Sequence, residues 1–185
     1  MKILKWIGIV MAALIVLPFV TLLILSHRAN AGASHTEIEI AATPEAVWPW
    51  LDEGARLKQW VSWLVEVREP QPVHHGVGAP MTWVMKDENN GGALMPMAGK
   101  FTEYNPPTHF KFSIGSPREM FEGEEAYTLV RLDNGHTRMA IDARYRYHQW
   151  FAALMEPLIT PAADKKMRSD LAKLKSLIET HAEAQ

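Results

Sequence analysis

The sequence contains no cysteine, and this absence excludes structural disulfides, thiolate nucleophiles and cysteine-ligated zinc sites. It also lacks a surplus of positive charge, since 19 Lys and Arg stand against 21 Asp and Glu. Residues 1–30 hold three of the basic side chains and no acidic one, so residues 31–185 carry 16 basic and 21 acidic groups. A mildly acidic body is a poor binder of the nucleic-acid backbone, and we expect no nucleic-acid partner.

The signatures of several catalytic sites are missing as well. There is no GxSxG elbow, no HExxH motif and no EF-hand loop. Gly99 and Lys100 resemble the end of a phosphate-binding loop, but Leu94 occupies the position of its first glycine and Phe101 the position of its Ser or Thr. These absences leave the catalytic residues unknown, and we predict no cofactor and no metal.

The ionisable residues that are present give only weak signals. Adjacent His74 and His75 point in different directions in an extended chain, so an exposed loop pair is expected rather than a metal site. Four glutamates form an acidic cluster between residues 119 and 125, and a solvated sheet edge is the default interpretation. We note five further polar residues that could act only if a pocket gathers them: His109, His136, Tyr127, Asp142 and Arg144.

A long apolar run begins the chain. Residues 6–25 contain 20 residues without a charge, enough to cross a hydrocarbon core of ~30 Å as a helix at ~1.5 Å per residue. Lys2 and Lys5 precede this run, which favours an N-terminus inside the cytoplasm and a body outside it. We interpret residues 1–28 as a transmembrane anchor. The alternative is a signal peptide that is cleaved near Ala31, where small residues alternate, leaving a secreted protein.

The globular part is predicted to begin with a strand and a helix. Residues 29–35 are small and polar, as in a linker, and residues 36–42 then alternate apolar and polar in the manner of a strand with one wet face. Thr43 and Pro44 suit the start of a helix. Because Pro49 removes a backbone hydrogen bond, that helix should be short or bent, and a second short helix is expected over 55–60.

The middle of the chain predicts a meander of antiparallel strands. Between residues 64 and 147, apolar and polar residues alternate in several stretches, most regularly over 138–147. Turn signals separate the stretches at 88–92, 105–107 and 133–135. Because no helical pattern intervenes, one curved antiparallel sheet is the simplest arrangement.

The end of the chain changes period. Over residues 162–183, the apolar Met167, Leu171, Leu174 and Ile178 fall at helical spacing, with charged residues around the opposite side. This amphipathic helix must lay its apolar stripe on the apolar face of the sheet, since neither can otherwise bury its hydrophobic surface. The predicted fold class is therefore α+β, with a curved sheet wrapped around a long C-terminal helix and two short helices after the first strand.

This order of elements resembles the START-like helix-grip superfamily, also called SRPBCC, which includes the polyketide cyclase/dehydrase branch. The segments that carry the resemblance are IEIAATPEAVWPWL, LKQWVSWLVEVRE, GKFTEYNPPTHFKFSI and DLAKLKSLIE. The resemblance covers residues 36–181, and we take 36–185 as one ligand-binding domain. It implies a cavity between sheet and C-terminal helix for a hydrophobic or amphipathic small molecule, and it implies no single activity.

The residues expected to line that cavity are aromatic or adaptable, and methionine in particular fills irregular space. They are Trp48, Trp60, Trp83, Met85, Phe112, Tyr127, Met139, Ile141, Tyr145, Met167, Leu171 and Leu174. For any one tryptophan, simple core packing is the favoured interpretation. Three hypotheses stay open: a membrane-anchored carrier of a lipid-like or polyketide-like molecule, an enzyme of the cyclase, dehydratase or hydrolase type, and a filled structural or interaction module. Convergence of at least two titratable groups in the interior would favour the enzyme.

Overall fold

The computed structural model describes residues 2–70, 72–87, 91–117 and 120–183. A helix, α1 (Lys2–Ser26), precedes the first strand, β1 (Ala33–Ile40), and three short helices follow it: α2 (Pro44–Val47), α3 (Pro49–Asp52) and α4 (Gly54–Trp60). The remaining strands are β2 (Leu64–Arg68), β3 (Pro80–Asp87), β4 (Ala93–Asn105), β5 (His109–Gly115), β6 (Phe121–Arg131) and β7 (Thr137–Tyr147). A long helix, α5 (Trp150–Glu183), ends the chain.

The seven strands form one antiparallel sheet in the order β1-β7-β6-β5-β4-β3-β2. Only β1 departs from a simple meander, because it pairs with β7 rather than with β2. The meander and the C-terminal helix predicted from the sequence are confirmed. Of the three predicted turns, 105–107 and 133–135 connect neighbouring strands, whereas residues 88–90 of the turn at 88–92 lie outside the described part of the chain.

Proline fixes the local structure after β1. Pro44 occupies the first turn of α2, and Pro49 begins α3, so the segment predicted as one short or bent helix is two single-turn helices separated by Trp48. β1 begins at Ala33, three residues before the alternation predicted, because residues 33–35 continue the pairing with β7. The strand therefore includes the end of the segment that resembled a linker.

The core lies between the inner face of the sheet and one side of α5. Leu171, Leu174 and Ile178 of the predicted helical stripe are buried there, and α5 packs against β1, β7 and α4. Polar groups along the same helix fix its position, since Asp170 accepts from the Ser62 amide at 3.0 Å and Glu179 accepts from the Ala41 amide at 2.8 Å. The helix is held at several levels along the sheet.

Helix α5 begins at Trp150, twelve residues earlier than the pattern over 162–183 predicted, and contains Pro157 and Pro161. Interior prolines remove backbone hydrogen bonds, which is why local sequence favours a helix start beyond them. Tertiary contacts offset that cost. The buried carboxylate of Glu156 accepts hydrogen bonds from the Gly32 amide at 2.8 Å and the Thr160 hydroxyl at 2.7 Å.

The same carboxylate joins α5 to the segment that follows α1. Arg28 donates through Nη1 to Glu156 Oε2 at 2.6 Å and through Nη2 to Oε1 at 2.9 Å. Burial disfavours the charged form of Glu156, but the bonds from Arg28, Thr160 and Gly32 outweigh it and lower its pKa. The start of α5 is thus attached to the C-terminal end of the apolar helix.

Helix α1 contains 22 residues, Lys5–Ser26, that are long and apolar enough to cross a membrane, and none of that window is buried within the protein. A signal sequence near the N-terminus can also be long and apolar enough to meet these criteria, so the helix alone does not decide between anchor and signal. Over residues 5–26 the side chains are exposed except where the last turns of the helix approach α5.

Candidate functional site

The inner face of the sheet gathers the residues that the sequence predicted as cavity lining. Ten of the twelve are buried, and Tyr145 and Met167 pack against them partly buried. The aromatic members are in direct contact: the Trp83 ring centroid lies 4.7 Å from that of Phe112, and Tyr127 stacks on Phe110 at 4.5 Å. The structure therefore brings these residues together between the sheet and α5.

Side chains of β6 point alternately into and away from the interior, and this alternation decides which of its polar groups are buried. On β6, Gly123, Glu125, Tyr127 and Leu129 face inward, while the residues between them face outward or lie half-buried. Glu125 is therefore buried, and the expectation of a solvated acidic cluster was wrong for it. Glu122 and Glu124 do lie on the outside, where Glu124 pairs with Lys111, and Glu119 lies outside the described residues.

Glu125 forms a buried hydrogen-bonded trio with two tyrosines. The Tyr127 hydroxyl donates to Glu125 Oε2 at 3.0 Å, and the Tyr145 hydroxyl donates to Oε1. Within the described ranges, no basic side chain forms an ion pair with this carboxyl. A lone buried acid satisfied only by neutral phenols is uncommon in a protein core, because burial of an unpaired charge is costly.

The electrostatics of the trio follow from its burial. Desolvation raises the pKa of Glu125, and the hydrogen bonds from Tyr145 and Tyr127 offset this only in part. Burial and the neighbouring carboxyl likewise raise the pKa of each tyrosine well above its ordinary value. The phenols accordingly stay protonated as donors, and the carboxyl takes up a proton more readily than an exposed glutamate does.

A glycine makes room for this arrangement. The Tyr145 ring lies over Gly123 of the adjacent strand, and a Cβ built on Gly123 would stand 2.3 Å from the ring. Any larger residue at position 123 would push the ring away from the carboxyl. A glycine at an inward position of β6, next to alternating aromatic residues, is the signal in the sequence that points to this close approach.

Polar groups without partners also lie near the interior. Trp83 Nε1, Trp63 Nε1 and Thr36 Oγ1 are buried and lack a hydrogen-bond partner among the described residues. A buried unsatisfied donor costs about 1–3 kcal/mol, so each is a position where an acceptor from a bound molecule would be stabilising. Trp83 belongs to the predicted lining, whereas Trp63 and Thr36 were not predicted.

A second cluster of ionisable groups lies at the edge of the sheet, where the sequence predicted an exposed histidine pair. His75 is only 16% exposed, so that prediction was wrong for it; it contacts Asp52 through Nδ1 and Glu69 through Nε2, each at 2.8 Å. Burial disfavours its charged form, but the two carboxylates outweigh burial and raise its pKa. Tyr104 donates to Asp52 at 3.1 Å, and its own pKa is raised to about 12, mainly by burial.

This cluster borders a cavity of about 150 Å³ that Pro70, Pro72 and Phe101 also line. A larger open groove of about 630 Å³ lies on the outer face of the sheet. His109, Asp142 and Arg144 line that groove and His136 pairs with Glu39 at the surface, so of the five polar candidates only Tyr127 faces the interior. The other four do not come together with it.

The described residues hold no group of three or more His, Asp or Glu side chains arranged to bind a metal ion. The Glu125 trio offers hydrogen bonding and proton exchange within an apolar, aromatic surround. An interior that is mostly apolar with a few convergent polar groups is the usual composition of a small-molecule site.

A curved antiparallel sheet closed by a long C-terminal helix defines this chain as an α+β protein of the helix-grip class. The family described as polyketide cyclase / dehydrase and lipid transport matches residues 33–179, and the chain belongs to that family. The resemblance stated from the sequence is thereby confirmed. A comparison with curated proteins gives no match.

Solved structures of similar fold come from several bacteria. A conserved protein from Geobacillus kaustophilus has 14% identity and a TM-score of 0.66, covering 80% of this chain and 95% of its own. A protein from Thermus thermophilus has 18% identity and a TM-score of 0.64, with coverages of 80% and 98%. One from Nitrosomonas europaea has 18% identity and a TM-score of 0.63, with coverages of 85% and 99%. At such identities the likeness concerns the fold alone.

Proposed function

We propose that the domain binds a hydrophobic or amphipathic small molecule, lipid-like or polyketide-like, between the inner face of the sheet and α5. The observation that carries this proposal is the trio of Glu125, Tyr127 and Tyr145 inside an otherwise apolar, aromatic interior. An apolar ligand body would replace side-chain contacts there, while its polar group would exchange hydrogen bonds with the trio or with the free N–H of Trp83.

A ligand that enters the interior would replace contacts among the buried side chains packed there, so the interior must rearrange around it. Methionine is suited to that, being unbranched and polarizable. Met81, Met85, Met97 and Met139 are all buried in the core, and Met95 and Met167 pack against it. A core with this much methionine can repack around an added molecule at lower cost than one built from branched side chains.

We further propose that α1 anchors the domain in a membrane, with the N-terminus in the cytoplasm and the body outside it. Arg28 lies on the anchor side of the alternative cleavage position near Ala31, and its two bonds to buried Glu156 support retention of the N-terminal segment. An anchor keeps the domain beside the bilayer, the natural reservoir of a poorly soluble ligand. The intact mass of the mature protein tests this, since a chain starting at Gly32 would establish secretion instead.

Photo-crosslinking of the full chain in lipid vesicles tests ligand binding. The probe is a long-chain fatty alcohol that carries a diazirine, with adducts mapped by peptide mass spectrometry. We expect adducts on inward residues such as Trp83, Met139 and Leu174, and we expect excess unlabelled alcohol to suppress them. Adducts confined to α1 and other outward residues would establish the filled-core alternative.

A matched pair of variants tests the polar group. Glu125→Gln removes the inner carboxyl with little change of shape and should lower inner-face labelling. Glu124→Gln changes the adjacent outward residue and should leave labelling as it was. Equal inner-face labelling of the two variants would show that the Glu125 trio does not take part in ligand binding.

A second candidate function is catalysis, favoured by the convergence of three titratable side chains. A carboxyl with a raised pKa can hold a proton and exchange it with a substrate, as dehydration or cyclisation requires. The test is loss of water from a 3-hydroxyacyl thioester by the purified full chain. An enzyme would lose turnover in Glu125→Gln and keep it in Glu124→Gln, whereas a carrier would show no turnover even in the wild type.

A further inference from the structure

The first part of α5 presents an exposed apolar surface. Phe151, Met155, Leu158 and Ala162 fall at helical spacing i, i+4, i+7 and i+11, and Ile159 lies beside them. Phe151 is 58% and Leu158 54% exposed. We call these five residues, together with Trp150, the α5 patch.

This surface is unusual within the molecule. Other exposed large apolar residues outside α1, such as Val65, Val77 and Val130, belong to separate strands or loops. Between Gln149 and Ala163 the chain has a single ionisable residue, Glu156, and it is buried. A contiguous apolar surface without charge marks a contact with a protein or a membrane rather than with water.

The α5 patch lies close to the C-terminal end of α1. Glu156 and Thr160 occupy the opposite side of this helical segment, and there Glu156 binds Arg28, two residues beyond the end of α1. Trp150 and Leu158 lie six and two residues from Glu156, or within ~9 Å along the helix axis. The patch is thereby fixed beside the point where the apolar span of α1 ends.

We propose that the α5 patch inserts into the surface of the lipid bilayer that α1 crosses. A helix with one apolar face rests with that face ~5–10 Å deep at the boundary of headgroups and acyl chains. Trp150 suits this depth, because tryptophan is enriched at membrane interfaces. The same helix that covers the inner face of the sheet then has its first turns in lipid, next to the site proposed for ligand. The inference rests on the proposed function only in taking α1 as a membrane span.

Site-directed spin labelling of the full chain in vesicles of phosphatidylcholine and phosphatidylglycerol tests this proposal. Because the chain has no cysteine, each of four variants carries one label: Phe151→Cys and Leu158→Cys on the patch, Val130→Cys on the outward side of β6, and Val16→Cys in α1. The measurement compares collision of each label with oxygen, which partitions into lipid, and with a water-soluble nickel chelate. We expect the oxygen-to-nickel ratio at 151 and 158 to exceed that at 130 several-fold and to be lower than that at 16.

Each other outcome has a definite meaning. A high ratio at 16 with ratios at 151 and 158 equal to that at 130 would overturn the patch proposal and leave the anchor intact. A low ratio at 16 would overturn the anchor and the patch proposal with it. Broadening of the 151 or 158 spectrum that disappears on dilution with unlabelled chain would assign the patch to a second copy of the chain, and so would also overturn the proposal.

Discussion

Replacement of Glu125 by Gln should change how the stability of this protein depends on pH. Glu125 is buried and its pKa is raised, so the folded state holds its proton more tightly than the unfolded state does. Below the unfolded pKa, near 4.5, both states are protonated and the group costs nothing. As pH rises above that value, the unfolded state releases its proton first, and stability falls until the folded-state pKa is passed.

The size of the effect follows from the hydrogen bonds. In the Gln variant, the amide oxygen can accept from one tyrosine and the amide nitrogen can donate to the other, so both interactions with Tyr127 and Tyr145 persist. In acid the two proteins should therefore agree within about 1 kcal/mol. Above pH 4.5 the wild type should lose up to about 1.4 kcal/mol per pH unit relative to the variant, the limit for one proton.

Denaturant unfolding of the full chain in detergent, followed by tryptophan fluorescence from pH 4.5 to pH 8, measures this difference. Subtraction of the two free energies at each pH removes the contribution of the eight histidines, which both proteins share. Glu124→Gln is the control, and its difference from wild type should not follow this course. Parallel profiles for wild type and Glu125→Gln would refute the raised pKa of the buried carboxyl.

Three further substitutions test the packing of the site and the junction with α1. Gly123→Ala places a methyl group 2.3 Å from the Tyr145 ring, so we expect about 1–3 kcal/mol less stability and a lower denaturation midpoint; an unchanged midpoint would contradict the contact. Glu156→Ala removes the acceptor of Arg28. Because that arginine is 30% exposed, we expect the free energy of unfolding to fall by about 2 kcal/mol rather than by the full cost of isolating a buried charge. An unchanged free energy of unfolding would argue against the junction between Arg28 and Glu156. His75→Asn tests the raised pKa of His75. The stability that the histidine adds is complete below its unfolded pKa of 6.5 and is lost as pH rises through its folded pKa, so the difference in free energy of unfolding between wild type and variant should shrink over that interval. A difference that stays constant with pH would contradict the raised pKa.

Local pattern predicted most of the fold because period and composition act over a few residues. Alternation over 138–147 was sufficient to identify β7 and its inward face, and helical spacing from Met167 to Ile178 was sufficient for the second half of α5. Pro44 and Pro49 divided the segment after β1 for reasons internal to it. The expected lining residues came together because each was apolar and on the inward phase of its own element.

The polar features of the site did not follow from local pattern, because each depends on at least one partner that is distant in the chain. Glu125 belongs to an acidic run that resembles a solvated edge. It is buried because it points inward from β6, where Tyr127 of the same strand and Tyr145 of β7 donate to it. His75 pairs with Glu69 of its own loop and with Asp52 of α3, and only the fold brings α3 to that loop.

By itself, the sequence determined an apolar helix of membrane length, a curved antiparallel sheet and a C-terminal helix that must cover it, since burial of periodic apolar residues leaves few other arrangements. Tertiary structure alone decided which acid lies inside the sheet, and that α5 starts before its two prolines, where Glu156 meets Arg28 across 128 residues of chain. The physical reason is the same in both cases. The cost of burying a charge or interrupting a helix is local, whereas the hydrogen bonds that offset it come from remote parts of the chain.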